Sequence, residues 1–414
     1  MKNWAENIKY TASAVHVPES VEQVRQIVLR CPKIRALGTR HSFNDIADSP
    51  SDLISITKLN RIVRFDLNSS QPTVTAEAGI TYGALCAELN SRGFALHNLA
   101  SLPHISVGGA VATATHGSGD RNGNLATAVV AMQIVRADGE VVEVSRQKTG
   151  DAFDGMVVSL GALGVVTELT LKVSPAYSMR QEVFENLPLS DVRQHFDAIT
   201  SSAYSVSFFT DWKSPRINQV WFKRRESDAI SFQLSPAMRA ARNLHPLIVL
   251  GAENCTEQLN VVGAWHERLP HFRMEFTPSA GEELQSEYFV SREHALDALD
   301  IVYGLREQIA PLLQISEIRT IAADELWMSP CYQQACVSLH FTWKPDWPGV
   351  KAVVPVIESQ LSPFRPRPHW GKLFTMSREQ LQEGYPKLPD FRQLMNKWDP
   401  TAKFTNSFLE HCLG

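Results

Sequence analysis

The chain has 414 residues, 44% of them hydrophobic and 20% charged, with a formal net charge of −4 at pH 7. That length exceeds one ordinary domain and fits two, with apolar content ample for their cores. Nearly balanced charge speaks against a nucleic-acid partner, and no uncharged apolar stretch approaches the roughly 18 residues of a membrane span. Met1 to Tyr10 carries Trp4, Glu6 and Lys9 without an apolar run, so no signal peptide is expected. The six cysteines show neither a C-x-x-C nor a paired spacing, which predicts reduced, mostly buried thiols in a cytoplasmic protein.

In chain order, Ser20 and Gln23 predict a capping box opening a helix with Val21, Val24, Ile27 and Val28 on its apolar face. Residues 34–37 read as a short buried strand, followed by the turn Gly38-Thr39-Arg40-His41-Ser42-Phe43-Asn44. Residues 53–56 and 74–76 read as strands, and 133–144 as a hairpin turning at Asp138-Gly139. Residues 161–173 supply a further turn and strand. From about residue 176 the texture changes: Ser190 begins a helix, and 206–210, 219–222 and 271–276 read as longer strands. Residues 292–313 read as one long helix opened by Ser291. Short strands and helices, then large antiparallel strands backed by helices, predict an α+β protein whose second domain keeps one sheet face open.

Two small-residue segments carry the first functional signal. A Gly/Ser/Thr turn after a strand directs backbone N–H groups outward, a nest suited to a diphosphate, with His41 inside it; the same pattern also describes a plain surface turn. Residues 101–119 are uncharged and dominated by Gly, Ala, Ser and Thr, which lets the backbone lie flat against a large ligand or simply pack tightly. No G-x-G-x-x-G or G-x-x-x-x-G-K-[ST] occurs, so a nucleotide site here is neither Rossmann nor P-loop and no nicotinamide cofactor is expected. A metal site built from His41, His104 and His116 is disfavoured, because no carboxylate or thiolate lies nearby at ligand spacing. Further along, 316–320 alternates, placing Glu317 and Arg319 on one face with Ile318 toward the core; His340 and Thr342 share a face in the same way. If those strands are neighbours, four polar side chains converge, as a polyol requires, although a solvated face reads the same. Lys372 follows Gly371 at the start of an apolar strand, where lysine usually snorkels outward.

The turn 38–44 and the segment 101–119 together resemble the vanillyl-alcohol-oxidase superfamily of flavoproteins, and within it the alditol (xylitol) oxidases, with aldonolactone oxidases as cousins. The likeness spans nearly the whole chain: Asn3-Trp4 with Asn7, then 161–167, 254–258, 265–271, 368–372 and 399–406. It implies an FAD-binding domain over 1–175, a cap domain with a large antiparallel sheet over 176–374, and a tail, 375–414, that returns to the FAD-binding domain. FAD would be held by Gly38, Thr39, Arg40, His41, Ser42, Ser101, Ser106, Val107, Gly109, Thr113, His116, Gly117, Val166 and Lys372, with His41 bonded covalently to the flavin. Some relatives have Ser-Gly where this chain has Thr39-Arg40. Lys372, Arg319, Glu317 and His340 would be catalytic, with Ser101, Glu317, Arg319, Thr342 and Lys372 on the substrate and Ala100 small enough to admit oxygen. The implied activity is oxidation of an alditol's terminal hydroxyl with O2 as acceptor, by a monomer without membrane or nucleic-acid partners. Glu317 beside Arg319 is shared with the aldonolactone oxidases and dehydrogenases, which stay the alternative.

Overall fold

In the computed structural model, which describes residues 1–274 and 283–414, the first helix runs over Val21–Arg30. Ser20 accepts from the amide of Gln23, but the Gln23 side chain reaches the amide of Glu19 instead of Ser20, so the capping box is half formed. Val24, Ile27 and Val28 are buried, and Val21 packs at the margin of the same core. The strand Ile34–Leu37 pairs in parallel with Asp52–Ser55, which also takes Ala14–His16 on its other edge. An antiparallel sheet follows in the order Ile62–Asp66, Thr73–Glu77, Val165–Lys172, Val129–Val135, Val141–Ser145. Its last two strands are the expected hairpin. Gly139 has φ 78° while Asp138 stays in the ordinary region, so the connection is longer than the two-residue turn that this dipeptide favours.

Two large apolar cores divide the work. The first collects these strands and the C-terminal helices Arg378–Gly384, Leu388–Trp398 and Ser407–Leu413, through Leu381, Phe391, Phe404 and Leu409. The second lies under one face of an eight-stranded antiparallel sheet, ordered Gly263–Ala264, Ser178–Pro188, Arg216–Arg225, Ser205–Thr210, Leu313–Ile321, Cys336–Trp343, Leu284–Ser291, Arg367–Pro368. Alternation sends Phe208, Ile318, Leu339 and Tyr288 toward the helices Leu189–Thr200, Ala295–Gly304 and Trp347–Leu361. The intervening residues form the opposite, polar face, as the strand pattern predicts.

Two expectations are corrected. The long helix of 292–313 is broken into a 3-10 turn Arg292–His294 and the helices Ala295–Gly304 and Arg306–Ile309, and Leu313 already begins a strand. Gly304 weakens the middle of that run and Pro311 cannot continue a helix, so the apolar spacing alone misleads. Residues 271–274 form a bend with one bridge, Phe272 to Cys255, in place of a strand. Both amides there, of His271 and Phe272, bond to the single carbonyl of Ser101, which precludes a ladder. Residues 275 and 276 of that expected strand lie outside the described residues. All six cysteines are buried and unpaired, and among the described residues no helix is long and apolar enough to cross a membrane.

Arg35 is the tie between strand, turn and tail. Its fully buried guanidinium donates to the carbonyls of Gly161 (2.9 Å), Phe404 (2.7 Å), Ile46 (2.5 Å) and Leu160 (2.7 Å). Arg35→Leu leaves the carbonyls of Gly161, Leu160 and Phe404 unpaired, Ile46 keeping Asn406, at about 1–3 kcal/mol each before relaxation, so a loss of roughly 3 kcal/mol or more is expected. Denaturant unfolding followed by tryptophan fluorescence reads this as a clearly lowered midpoint.

Candidate active site

The polar sheet face and the small-residue loops enclose a cavity of about 610 Å³, within the ~300–1,000 Å³ typical of ligand and cofactor sites. One wall starts where the strand Ile34–Leu37 ends. Gly38, Thr39, Arg40, His41 and Ser42 line the cavity, and the Thr39 hydroxyl accepts from the amide of Ser106 at 3.3 Å. A Cβ on Gly38 would stand 2.5 Å from the Ser106 Oγ, so any other residue there forces that hydroxyl to turn. Ser106 caps the short helix Val107–Ala112, and its own Oγ is buried without a partner. Gly109, Thr113, His116 and Val166 also line the cavity. Val107 and Gly117 do not: Val107 is buried in the first core, and Gly117 is pressed against the Leu99 carbonyl, 2.3 Å from where its Cβ would lie.

The N-terminal motif clamps this turn. Asn3 and Asn7 donate to the carbonyls of Ser42 and Phe43 at 2.9 and 2.7 Å, and the Trp4 amide donates to Arg40 at 2.8 Å. Arg40 holds φ 67°, in the left-handed region that favours glycine, while its guanidinium turns out to the carbonyl of Lys2. The His41 ring lies 5.2 Å from Trp4, and burial, with His104 and Arg40 nearby, pushes its pKa down to about 4, so the imidazole is neutral.

The other wall is the sheet. The register sets Glu317 directly across from His340, and His340 across from Glu287 on the strand Leu284–Ser291; Thr342 faces Gln285 in the next same-face row. Glu317, Arg319, His340 and Thr342 therefore do share one face, as expected. Lys372 does not begin a strand but follows the turn at Gly371, and its Nζ enters the cavity to meet Glu287 at 2.7 Å. It does not snorkel. Ser101 lines the cavity and fixes the His271 segment with its carbonyl.

Glu287 is the residue the sequence reading missed. Its side chain has no exposure, and it meets Arg319 Nη2 at 2.7 Å, Lys372 Nζ at 2.7 Å and His116 Nε2 at 3.1 Å. Burial alone would raise its pKa, but Lys372, Arg319 and His116 outweigh that and hold the carboxyl well below its usual range. Gln285, His271 and His369 also line the cavity unforeseen; Gln285 Oε1 lies 3.1 Å from His340 Nε2, and His271 Nε2 lies 2.7 Å from Glu317 Oε1. Burial drives the His340 pKa well below normal, with Lys372 and Arg319 adding to it, so this ring is neutral. His104 bonds to the Met274 carbonyl, and His116 bonds to the Gly117 carbonyl through Nδ1 and faces Glu287 with Nε2.

The lining suits a large, flat, partly anionic ligand, given an orphaned Ser106 hydroxyl, a glycine that lets the turn approach it, and walls of Gly, Ala and Thr. Residues 12–145 match the family model of the FAD binding domain, and residues 282–412 that of D-arabinono-1,4-lactone oxidase. Alditol oxidase of Streptomyces sp. (strain IKD472) is 47% identical over 412 residues, covering 99% of this chain and 98% of its own. L-gulonolactone oxidase of Mus musculus is 27% identical, covering 99% and 97%, respectively. L-gulono-1,4-lactone dehydrogenase of Mycobacterium tuberculosis is likewise 27% identical, covering 100% and 98%. The crystal structure of cholesterol oxidase from B. sterolicum superposes with a TM-score of 0.80 at 16% identity, covering 100% and 96%, a likeness of fold alone. Fold and cavity are those of an FAD-dependent oxidoreductase of the vanillyl-alcohol-oxidase type. The chain belongs to the alditol oxidase family, and the lactone oxidases are its more distant relatives.

Glu287→Gln tests the ion cluster. It leaves Arg319 and Lys372 buried against a neutral amide, at a cost of about 3–5 kcal/mol. A carboxylate with a depressed pKa stabilises the fold above its unfolded pKa of ~4.3 and stops doing so as pH falls through its folded value. Stability measured from neutral to acid pH should therefore drop less on acidification in the variant, from a lower starting point.

Proposed function

We propose that this protein oxidises the terminal hydroxyl of an alditol, xylitol or sorbitol among them, to the aldose while reducing O2 to H2O2, using FAD attached covalently through His41. The observation that carries the substrate reading is a pair of buried groups placed to share a hydroxyl. Arg319 Nε is a buried donor with no hydrogen-bond acceptor, and it lies 3.6 Å from Glu317 Oε2, too far for a hydrogen bond. A hydroxyl is both donor and acceptor and satisfies both at once. Thr342 and Gln285 extend the same face, giving a chain of carbinols successive partners. The identity of 47% to an alditol oxidase, against 27% to the lactone enzymes, supports the same choice.

When bound, FAD supplies acceptance of a hydride from the carbinol carbon and its delivery to O2. The chain's residues position and polarise. Lys372 and Arg319 donate to the reacting hydroxyl and favour loss of its proton, and Glu287 holds both cations in place. Gln285 Oε1 can only accept, so His340 carries its hydrogen on Nε2 and presents Nδ1 as the acceptor for that proton. Glu317 binds the next hydroxyls along. Gly38, Thr39, Ser42, Ser106, Gly109, Thr113 and Val166 would hold the cofactor, and Ala100, which lines the cavity, leaves room for O2.

The matched lactone-oxidase model over 282–412 keeps an aldonolactone as the second reading. Peroxide release from xylitol, sorbitol, mannitol, glycerol and an aldonolactone, with no nicotinamide added, decides between them. Turnover confined to the lactone sinks the alditol reading.

For the linkage, the strand-turn-histidine placement and the neutral His41 ring predict that acid-precipitated protein stays yellow. A flavin-mass adduct should map to the peptide containing His41, and His41→Ala should retain flavin only non-covalently. A colourless pellet contradicts the covalent bond.

For the chemistry, Lys372→Ala and Arg319→Ala should each slow flavin reduction roughly a hundred- to thousandfold, or about 3–4 kcal/mol, as loss of one preorganised donor does elsewhere. Glu317→Gln should mainly raise KM, because an amide oxygen still accepts, but more weakly. Stopped-flow reduction at saturating polyol separates the two effects. A wild-type rate for Lys372→Ala removes the lysine from the chemistry.

A further inference from the structure

Behind Glu317 runs a second line of contacts that the reaction as described does not use. Lys223, on the strand Arg216–Arg225, is 1% exposed. Its Nζ donates to the carbonyls of Leu269 at 2.6 Å and Pro270 at 2.9 Å, and stands 3.1 Å from His271 Nδ1. The opposite edge of that ring meets Glu317 Oε1 at 2.7 Å. Phe209 and Trp221 grip the ring edge-on, with centroids 5.4 and 5.1 Å away, and the backbone amide and carbonyl of His271 are tied to Ser101 and Thr256. The imidazole has little freedom to turn.

An ammonium group only donates. His271 Nδ1 must therefore accept from Lys223, which leaves the ring's hydrogen on Nε2, aimed at Glu317. A hydrogen delivered there by a neutral imidazole favours the ionised carboxylate and occupies Oε1. Oε2 is left toward Arg319 Nε at 3.6 Å and His340 Nδ1 at 3.9 Å, on the cavity side.

We propose that Lys223 and His271 are positioning residues for substrate binding: the lysine fixes the tautomer of the histidine, and the histidine presents Glu317 to the substrate as a charged acceptor with one oxygen held. This rests on Glu317 binding substrate hydroxyls. Without the lysine's hydrogen nothing holds Nδ1 as the acceptor, and the ring's hydrogen is free to sit there. Its Nε2 lone pair then opposes the carboxylate, which must turn away or take up a proton.

The lock also has a built-in pH limit. Burial pushes the Lys223 pKa down to about 7, with Glu317 and Cys255 opposing and Arg268 adding to the shift. His271, facing Lys223, Glu317 and Arg319, is pushed to about 4, mainly by burial, and stays neutral throughout. Above about pH 7 the neutral amine keeps two hydrogens for three acceptors, so the tautomer is held less firmly.

The test uses the flavin-loaded enzyme and the variants Lys223→Met, His271→Phe, His271→Gln and Glu317→Gln, with melting temperature and flavin absorbance confirming the fold. Loss of a charge-assisted bond to Glu317 predicts KM for xylitol raised ~10–100-fold in Lys223→Met and His271→Phe, with kcat changed far less. His271→Gln, which keeps a donor, should recover part of that loss. Wild-type KM should rise as pH passes about 7, and the Lys223→Met profile should be flat there. Long-range 15N-histidine spectra should show His271 as the Nε2–H tautomer in the wild type and changed in Lys223→Met. An Nδ1–H tautomer in the wild type overturns the proposal even if no variant folds. So do a wild-type KM and pH profile in Lys223→Met and His271→Phe while Glu317→Gln raises KM. If Glu317→Gln itself leaves KM unchanged, the substrate reading of Glu317 falls instead, a different failure.

Discussion

A carboxylate that reaches no water must be matched by cations that reach almost none, and Glu287 imposes that requirement on the whole site. Its partners come from three separate parts of the chain: His116 ends the small-residue loop, Arg319 lies two strands away, and Lys372 follows the turn at Gly371. Breaking such a cluster costs far more than forming it contributes, because each remaining charge is stranded in a poor solvent. The cluster therefore acts as a registration device between the cofactor loops and the sheet. With Glu317 beside Arg319, two permanent cations face two carboxylates, so the cavity carries fixed charge of both signs without a surplus. The cations, fixed in advance, are worth most where negative charge develops.

The same registration is made a second time by neutral groups. Asn44 closes the turn 38–44 and donates from one amide to the carbonyls of Trp370 and Lys372, each at 2.8 Å. The Phe43 amide bonds to Gly371 and the Leu373 amide to Gln285, so turn, lysine loop and strand are knitted through main-chain atoms. His41 and Lys372, far apart in sequence, sit on one rigid unit. Positions a fraction of an ångström apart matter for hydride transfer, and rigid supports supply that where loops alone do not.

Much of this was legible in the sequence. Strict alternation around Ile318 places Glu317 and Arg319 on one face, and adjacency of that strand to Cys336–Trp343 is what the convergence with His340 and Thr342 requires. The glycine after the first short strand announces a close approach, and Ser106 Oγ is what it approaches. The strand Leu284–Ser291 was illegible for a physical reason. Gln285 and Glu287 face the cavity, yet Ser286 on the opposite face is also polar, buried as the acceptor for Trp343 Nε1. With polar residues on both faces, period-two patterning vanishes. The partners that justify a buried Glu lie about 30 and 85 residues further on, and no local pattern reveals them. His271 hides in the same way, in a bend that its own amide bonds prevent from becoming a strand.

Burial removes one common source of pH sensitivity from this site. His41, His116, His271, His340 and His369 all line the cavity, and for each of them desolvation is the leading cause of a pKa below the usual value. Histidine ordinarily changes charge near pH 6.5, but burial disfavours the charged form of every one of these rings, and His41 and His271 are held neutral with values of about 4. They serve as directional donors and acceptors, each tautomer set by its neighbour: Gln285 for His340, Lys223 for His271. The permanent charges are left to arginine, lysine and two depressed carboxylates, Glu287 and Glu317. A site that must accept a proton and host developing negative charge in sequence gains from this separation. Fixed charge rests on one set of groups, and the direction of the hydrogen bonds on another.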